Sequence, residues 1–381
     1  MNIVCIYPYL TIEYNSIAQA PLYVSEQGHN VLIITSRNVK GLKGSFSSPH
    51  DEQHGSMRFL RAYDTSTELR ETPEVAWKEV EENLVNFKPD LIYCSGEFNI
   101  KLSRMIKDRF DIPMVLLVEY LSSYKLNLPY IKMRYYWHKL RLDGLLDIVR
   151  HFYLKKLFVG VDALMVVYHG DIRLFRKFER ADLSIHYAPW CNHVDLIDND
   201  QLQDKDRGIG IHMGGLEKFK NAQELLVAIP AILENTPTEK FIVVGPGYYA
   251  KNIREMAEQS DGKIEYIESL PRAEALQLLS KAYYAYTPAI DAGAGFIGDS
   301  WATHTPLVAT HSVGGLLRRD EDALVADNVS GLCEEITRLY SDQALYQALQ
   351  DKGFLRYKND HSRDATGQHY INIFQSVLAG E

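Results

Sequence analysis

A chain of 381 residues is long enough for about two domains, each with its own hydrophobic core. Hydrophobic residues make up 46% and charged residues 24%, which is ordinary for a globular protein and excludes a disordered or low-complexity chain. The formal net charge of −9 argues against a protein that binds nucleic acid through its overall charge.

The four cysteines are scattered along the chain without a C-x-x-C pair. They are Cys5, Cys94, Cys191 and Cys333. Reduced thiols are expected, and neither a zinc site nor a disulfide framework is indicated. The beginning MNIVCIYPYL lacks the basic region of a signal peptide, and no apolar run approaches the roughly eighteen residues of a membrane span. The sequence therefore predicts a cytoplasmic protein.

The first half alternates short apolar runs with helical segments. Strands are predicted at Asn2 to Tyr7, Val31 to Thr35, from Asp90, from Pro113, at Val161 to Val167 and at Ser184 to Ala188. Helices are predicted from an N-cap at Thr72 to about Phe87 and from about Phe98 to Asp108. Runs such as MVLLV, which do not alternate, are typical of strands buried on both faces of a parallel sheet. The pattern predicts a doubly wound α/β domain.

Ligands bind beyond the carboxyl ends of the strands in such a sheet. The residues there are Pro8 to Asn15, Ser95 to Glu97, and Glu119 with Tyr120. Each of them taken singly also fits a residue that caps or solvates a loop.

A segment at 131–158 is rich in tyrosine and basic residues. Between Lys132 and Lys156 it has seven Lys or Arg against Asp143 and Asp147. An amphipathic basic helix of this kind can lie on an anionic membrane surface or face an anionic acceptor. A long helix with a solvated basic face is the alternative.

A polar, acidic stretch from Pro189 to Arg207 is the predicted domain boundary. A second α/β series follows it, with the apolar runs GIGIHM, KFIVV, KIEYI and YYAYT. Its helices are predicted from about Asn221 to Glu234, near Asn252 to Gln259, and from Pro271 to about Ser280. Neither half has a G-x-G-x-x-G after its first strand, and no Walker A motif is present, so dinucleotide and P-loop proteins are not indicated.

A glycine-rich stretch follows the last of these strands. Gly293, Gly295 and Gly298 can turn backbone amides toward a ligand, and a helix that opens at Asp299 or Ser300 would add its unpaired N–H groups. Such a place suits a phosphate. Asp291 and Asp299 flank the stretch eight residues apart. An ordinary surface connection with turn glycines is the alternative.

Lys220 lies at the predicted start of a helix. A cation is poorly placed there against the helix dipole unless an anion shares the site. This makes Lys220 a candidate phosphate ligand, with a surface lysine as the alternative.

Together these motifs resemble retaining glycosyltransferases of the GT-B fold, most closely glycosyltransferase family 4. In that family a Gly-Arg-Leu turn, three further residues and a Lys open the second domain; here the turn is Gly214–Gly215–Leu216, followed by Lys220. The family's valine followed by Gly-x-Gly is matched by Val244–Gly245–Pro246–Gly247.

The family's E-x7-E motif is matched in spacing by Asp291 and Asp299. Its T-P-V-V-A strand and its linker N-G-V-D resemble Thr305–Pro306–Leu307–Val308–Ala309 and Asn192–His193–Val194–Asp195. Both family glutamates are aspartates here, the family arginine is Gly215, and the family's first-domain histidine is Glu119.

The resemblance implies an α/β fold with two Rossmann-like domains that face a central cleft. An acceptor-binding domain would cover 1–189, a linker 190–207 and a donor-binding domain 208–360. A helix at about 361–378 would pack back on the first domain.

It also implies a hexosyltransferase that moves glucose or a related hexose from a UDP donor to a glycan or lipid-linked acceptor, with retention and without metal. No cofactor is expected, because the nucleotide sugar is a co-substrate. The setting would be exopolysaccharide or cell-envelope glycan biosynthesis, with possible membrane contact through 131–158. A nucleotide-sugar epimerase of the same fold and a catalytically silent nucleotide-sugar-binding subunit are the alternatives.

Residue roles carry over from the resemblance. Lys220 would neutralise the donor's pyrophosphate, Asp291 would face the sugar hydroxyls, and Asp299 would accept hydrogen bonds from the ribose. The catalytic residues would be Asp291, Lys220 and Glu119. The donor-binding residues would be Gly214, Gly215, Lys220, Gly245, Leu270, Asp291, Gly293, Ala294, Gly295, Phe296 and Asp299. The acceptor side would be formed by Tyr14, Asn15 and Glu97.

Overall fold

The computed structural model describes residues 1–8, 10, 18–38, 53–118, 152, 154–167, 172, 175–179, 182–189, 191, 204–289, 294–311 and 315–380. The chain divides into two compact units. The first consists of Met1–Cys191 with Thr366–Glu381, and the second of Asn192–Ala365. Each unit has a sheet of mainly parallel strands with helices, so the predicted pair of Rossmann-like domains is confirmed.

The first unit contains an eight-stranded sheet within the described ranges. Its strands are β1 (Asn2–Ile6), β2 (Asn30–Ser36), β3 (Gln53–His54), β4 (Met57–Tyr63), β5 (Leu91–Ser95), β6 (Met114–Val118), β7 (Ala163–Val166) and β8 (Ser184–Tyr187). The order is β3-β4-β2-β1-β5-β6-β7-β8. Every pair is parallel except β3 with β4.

The central strands are apolar on both faces, which explains their position in the middle of the sheet. In β1, Ile3 pairs with Val31 on one side and with Leu91 on the other, and all three side chains are fully buried. Strand β4 was missed by the sequence analysis. Its segment MRFLRAY has Arg58 and Arg61 within the run, although Arg61 is 0% exposed.

Within the described residues, four helices of the first unit precede its last strands. They are α1 (Gln19–Glu26), α2 (Ser66–Glu71), α3 (Trp77–Phe87) and α4 (Ile100–Phe110). Thr72 is the N-cap residue with Pro73 directly after it, and the helix ends at Phe87, as predicted, but the Thr72 side chain makes no capping hydrogen bond. The Thr72 side chain donates to the carbonyl oxygen of Glu68, at the end of α2, and a 3-10 turn at Pro73–Ala76 precedes α3.

The second unit contains a six-stranded parallel sheet within the described residues. Its strands are β9 (Asp206–Met213), β10 (Lys240–Val244), β11 (Ile264–Ile267), β12 (Ala282–Thr287), β13 (Leu307–Ala309) and β14 (Leu324–Val325), in the order β11-β10-β9-β12-β13-β14. The helices are α5 (Leu225–Asn235), α6 (Ala250–Glu258), α7 (Arg272–Lys281), α8 (Ala294–Ala302), α9 (Val329–Ser341) and α10 (Gln343–Arg356).

Aromatic side chains fill much of the core of the second unit. The Tyr283 ring stacks on Tyr340 and on Tyr346 at centroid distances of 4.6 and 4.3 Å. Trp301 is 2% exposed, and its indole N–H donates to the carbonyl oxygen of Asp322. These contacts hold α8, α9 and α10 against the sheet.

The last helix is α11 (Arg363–Ala379), and its residues from 366 onward belong to the first unit. The rings of Tyr370 and Phe374 lie 5.9 and 5.6 Å from that of Tyr93 in β5. A Cβ on Gly367 would lie 2.3 Å from the Tyr23 ring, so a glycine permits the close approach of α11 to α1.

The parallel order of β9, β12 and β13 brings the segments after these strands to one edge of the second sheet. Those segments are Gly214 to Lys220, Pro288 with Ala289, and Thr310 with His311. They contain the candidate site.

Candidate functional site

Two glycine-bearing loops pack against each other at the ends of β9 and β10. A Cβ on Gly245 would lie 2.0 Å from the carbonyl oxygen of Gly214, and one on Gly247 would lie 2.7 Å from the backbone of Leu216. Gly214, Gly245 and Gly247 have φ of 149°, 143° and 147°, which disfavours any side chain. The backbone N–H of Leu216 donates to the carbonyl oxygen of Pro246 at 2.8 Å. Gly245, a predicted donor ligand, therefore serves at least to bring the two loops together.

The amino group of Lys220 lies beside the glycine turn. Its Nζ atom would be 3.7 Å from a Cβ built on Gly215. Burial lowers the pKa of Lys220, and the charge of Glu217 offsets this only in part. An arginine at position 215 would place its side chain next to the partly buried ammonium of Lys220. An added anion would stabilise the charged form of that ammonium.

The predicted position of Lys220 is wrong, because Lys220 does not begin an α-helix. It ends a 3-10 turn at Lys218–Lys220, and Asn221 then takes a left-handed conformation with φ of 56°. A second 3-10 turn, Ala222–Glu224, leads into α5. The left-handed residue changes the chain direction directly after Lys220.

His212, at the end of β9, was missed by the sequence analysis. Its Nδ1 lies 2.9 Å from the carbonyl oxygen of Tyr286, which only accepts, so Nδ1 carries the hydrogen. Burial lowers the pKa of His212 to about 4, the bond to Tyr286 opposes this shift, and the charge of Lys220 adds to it. The ring is therefore neutral near pH 7 and Nε2 is an acceptor. The only sequence signal was a histidine in the otherwise apolar run GIGIHM.

His212 also links the glycine turn to α8. Its ring contacts Phe296, a predicted donor ligand, edge to face at 5.4 Å. Its Nε2 would be 3.9 Å from a Cβ on Gly214. The first turn of α8 and the Gly214 turn therefore share one neighbour.

Helix α8 spans Ala294–Ala302, so the predicted helix start at Asp299 or Ser300 is wrong. Phe296, Ile297 and Trp301 are buried, and this burial keeps the glycine-containing segment helical. The first turn of the helix includes Ala294 and Gly295, and a Cβ on Gly295 would meet no described heavy atom within 4 Å. The first turn of α8, whose N–H groups have no acceptor within the helix, thus includes a glycine with no described side-chain neighbour at its Cβ position.

Asp299 lies within α8 and is 7% exposed. Arg272, the first residue of α7, donates to both of its oxygens. The Nη1–Oδ2 distance is 2.6 Å, and Nη2 donates to Oδ1. Burial would lower the pKa of Arg272, but the hydrogen bonds and charge of Asp299 outweigh it and raise that pKa. The sequence analysis missed Arg272. Its only sequence signal was its position two residues after Leu270, a predicted donor-binding residue. Leu270 is partly buried in the connection between β11 and α7.

Several predicted residues lie outside the described residues. They are Tyr14, Asn15, Glu119, Asp291 and Gly293. Glu97 begins a 3-10 turn, Glu97–Asn99, after β5, and its side chain is likewise outside the described part. The predicted roles of these residues stay predictions.

Two polar residues that the sequence analysis missed lie at the carboxyl edge of the first sheet. Arg61 donates to the carbonyl oxygens of Leu10 and Ser36, each at 3.1 Å. Asn99, which is 1% exposed, donates to the carbonyl oxygen of Ser95. They fix the backbone at the ends of the strands on the predicted acceptor side.

The basic segment 131–158 lies almost wholly outside the described residues. Phe152 within it is 67% exposed, and Val159 just after it is 58% exposed. Within the described ranges, no helix has the length and apolar character needed to cross a membrane. The same residues contain no group of three or more His, Cys, Asp or Glu that could hold a metal ion.

Comparison with known proteins relates the second unit to a protein family and the whole chain to solved structures. Residues 207–342 match the family model described as glycosyl transferases group 1. No curated protein sequence matches the chain.

Solved structures match over nearly the whole chain. Sucrose-phosphate synthase from Thermosynechococcus elongatus superposes with a TM-score of 0.77 at 15% identity, covering 100% of this chain and 99% of that one. Anabaena HepE in complex with UDP and glucose gives 0.70 at 12% identity, covering 99% and 100%. The Escherichia coli trehalose-6-phosphate structure bound with UDP-2-fluoro glucose gives 0.71 at 11%, covering 98% of each chain.

The fold is thus that of GT-B glycosyltransferases, and the second unit carries a glycosyl transferases group 1 domain. The predictions of the fold and of a glycosyltransferase are confirmed.

Proposed function

We propose that this glycosyltransferase moves a hexose, glucose or a close relative, from a UDP donor to a glycan or lipid-linked acceptor. Transfer proceeds with retention and without metal, in exopolysaccharide or cell-envelope glycan biosynthesis. The second unit binds the donor, and the acceptor binds at the carboxyl edge of the first sheet.

The observation that carries the proposal is the position of Lys220. Its ammonium lies beside Gly215 at the end of β9, and burial destabilises the charged form. The first turn of α8, with space beside Gly295, adjoins the same turn through His212 and Phe296. An ammonium and the N–H groups of a helix start together make an anion site that fits a diphosphate.

The same groups act on the reaction. When the bond between C1 of the sugar and the β-phosphate oxygen breaks, its electron pair goes to the diphosphate. The acceptor hydroxyl oxygen bonds to C1, and its proton goes to the leaving phosphate oxygen. Lys220 and the helix N–H groups stabilise the charge that grows on that leaving group, which lowers the barrier.

The structural neighbours support the choice of donor. HepE was crystallised with UDP and glucose and with UDP-glucose, and the E. coli structure holds UDP-2-fluoro glucose. Because the identities are 11–12%, these ligands guide which donors to assay first.

A transfer assay tests the proposal. The protein is incubated with UDP-glucose, other UDP-hexoses, GDP-hexoses and a panel of glycan and lipid-linked acceptors, and nucleotide release and products are measured. Lys220→Ala should lower kcat/KM about 10- to 100-fold, the scale of a lost charge-assisted hydrogen bond.

Lys218→Ala is the matched control. Lys218 belongs to the same 3-10 turn, but its ammonium lies 3.7 Å from the centroid of the Tyr248 ring. It should retain wild-type activity. Equal losses in both variants, or no turnover and no binding with any donor, would refute the proposal.

One observation favours a second candidate, a nucleotide-sugar-binding subunit without turnover. Gly215 stands where glycosyltransferase family 4 carries an arginine, which leaves the predicted diphosphate site one cation short. Donor binding with neither hydrolysis nor transfer would support that candidate, whereas isomerisation of the donor sugar without an acceptor would identify an epimerase.

The lipid-linked acceptor has its own test. If the segment 131–158 contacts an anionic membrane surface, the protein should co-sediment with anionic liposomes at low salt and be released as the salt concentration rises. No co-sedimentation at low salt would remove the membrane contact but leave the transferase proposal intact.

A further inference from the structure

Directly after Lys220, two polar side chains connect the segments that form the candidate site. Asn221 precedes the second 3-10 turn and Glu224 ends it, and neither was assigned a role by the sequence analysis. We propose that they are positioning residues of the donor site, which hold Lys220 in register with the segment leading into α8. The inference rests on the proposed role of Lys220 in binding the diphosphate.

Asn221 combines a special backbone conformation with a specific side-chain role. Its φ of 56° is left-handed, which glycine also permits and which Asn tolerates better than most residues. The Asn221 side chain does more than a glycine could. Its Nδ2 donates to Glu224 Oε2 at 2.8 Å and to the carbonyl oxygen of Pro288 at 3.1 Å. Asn221 is 7% exposed, so water competes little for these bonds.

Pro288 makes the second bond informative. It follows β12 and precedes the glycine-rich segment that enters α8. The residue next to Lys220 is therefore bonded to the segment that leads to the other half of the predicted diphosphate site. One amide group thus connects the two segments.

Glu224 anchors this amide to the sheet. Its Oε1 accepts from the Tyr286 hydroxyl at 2.8 Å and from the Thr310 hydroxyl, and its Oε2 lies 3.5 Å from His311 Nε2. Tyr286 belongs to β12, and Thr310 directly follows β13. One carboxylate thus joins the ends of two adjacent strands to the Lys220 turn.

The Glu224 carboxylate stays ionised at neutral pH. Burial would raise the pKa of Glu224, but the hydrogen bonds from His311, Thr310 and Tyr286 outweigh it and lower that pKa. A carboxylate is an acceptor only, which suits a position surrounded by donors. A glutamine would turn an NH2 group toward at least one of them and leave a donor without an acceptor.

The test is the ratio of UMP to UDP dissociation constants, which isolates the contribution of the second phosphate. Asn221→Gly keeps the left-handed backbone and removes only the amide, and Glu224→Gln keeps the shape of the carboxylate. Each should lower the ratio about tenfold, mainly by weakening UDP binding. In turnover, donor KM should rise more than kcat falls.

Gln223→Ala is the control. It removes a hydrogen-bonding side chain of the same turn, whose Nε2 lies 3.4 Å from Asn221 Oδ1 and whose Oε1 accepts from the Tyr249 hydroxyl at 2.9 Å. Its UMP to UDP ratio should equal that of the wild type. Thermal unfolding of each variant shows that the comparison is made on folded protein.

The outcomes separate this inference from the proposed function. An unchanged ratio in folded Asn221→Gly, or an equal weakening of UMP and UDP, would overturn the positioning role. If Lys220→Ala also leaves the ratio unchanged, the proposed function itself fails. If Lys220→Ala lowers the ratio of the UMP to UDP dissociation constants and Asn221→Gly leaves it unchanged, only the positioning role fails.

Discussion

The Lys220 turn and the Arg272–Asp299 pair are two charged regions of the same unit. The surroundings disfavour the charged form of Lys220 and favour the charged form of Arg272. Burial lowers the pKa of Lys220, so its charged form is held at a cost. Asp299 lies buried in α8 with both oxygens accepting from Arg272, whose pKa is raised. The comparison separates a cation whose charged form burial disfavours from a carboxylate whose two oxygens accept from a guanidinium.

In the proposed donor site the two regions would contribute to binding in different ways. A diphosphate beside Lys220 would offset the cost that burial imposes on the charged form. At Asp299, each carboxylate oxygen has a second lone pair. In the proposed donor site, a ribose hydroxyl would donate to Asp299 in addition to Arg272.

The largest expected effect is on stability. Arg272→Ala leaves the buried Asp299 carboxylate without its counter-ion and should lower the free energy of unfolding by about 3 kcal/mol, measured by urea denaturation. The double variant Arg272→Ala with Asp299→Asn should recover part of this loss, because no charge is then stranded.

An exposed pair of the same kind is the control. Arg254 and Glu268 are 3.1 Å apart with side chains 51% and 67% exposed, so Arg254→Ala should change stability by less than about 0.5 kcal/mol. Equal losses in the free energy of unfolding for Arg254→Ala and Arg272→Ala would show that burial does not strengthen the contribution of the Arg272–Asp299 pair.

His212 lies beside the Gly214 turn and contacts Phe296 of α8, and its protonation gives the second effect. The pKa of His212 is about 6.5 in the unfolded chain and about 4 in the folded protein. Below pH 6.5 the unfolded state binds more protons, so stability falls as the pH falls toward 4, by about 3 kcal/mol from this residue.

His212→Asn keeps an N–H for the Tyr286 carbonyl oxygen and removes the titration. Its free energy of unfolding, measured between pH 7 and about 4, should fall less steeply than that of the wild type. Identical slopes would mean that His212 titrates normally in the folded protein.

The smallest effect separates binding from stability at Lys220. Lys220→Met removes a charge that burial disfavours and keeps an aliphatic chain of similar length, so stability should be unchanged or up to about 1 kcal/mol higher at neutral pH. The same variant should lose UDP affinity. A destabilisation as large as that of Arg272→Ala would remove the contrast between the two regions.

Much of the fold could be predicted from the sequence, because a short run of apolar residues identifies a buried strand from local composition alone. The runs of β1, β2 and β6 are buried on both faces and were predicted close to their observed bounds. Strand β4 was missed because Arg61 interrupts its pattern, and only the fold supplies the carbonyl acceptors of Leu10 and Ser36 for that arginine.

The site was predictable where a single segment forms it. Lys220 and the glycine turn at 214–215 lie together as their spacing indicated. The start of α8 was placed too late, because glycines normally weaken a helix, and here the buried Phe296 and Trp301 compensate.

Contacts between distant segments left no local signal. Arg272 meets Asp299 across 27 residues, and Glu224 meets Thr310 across 86. In the sequence these residues resemble ordinary polar residues of helices and loops. Only the strand order of the second sheet shows that they meet.

The central claim is that the buried ammonium of Lys220 binds the donor's diphosphate, and proton linkage tests it most directly. UDP binding is measured by calorimetry in buffers of different ionisation enthalpy, at alkaline pH below 10.5, the ordinary pKa of lysine. The wild type should take up a fraction of a proton as the diphosphate raises the pKa of Lys220 back toward its usual range. Lys220→Arg should bind UDP without proton uptake, because arginine stays charged. UDP binding by the wild type without proton uptake, or with the same affinity in Lys220→Ala, would contradict the account.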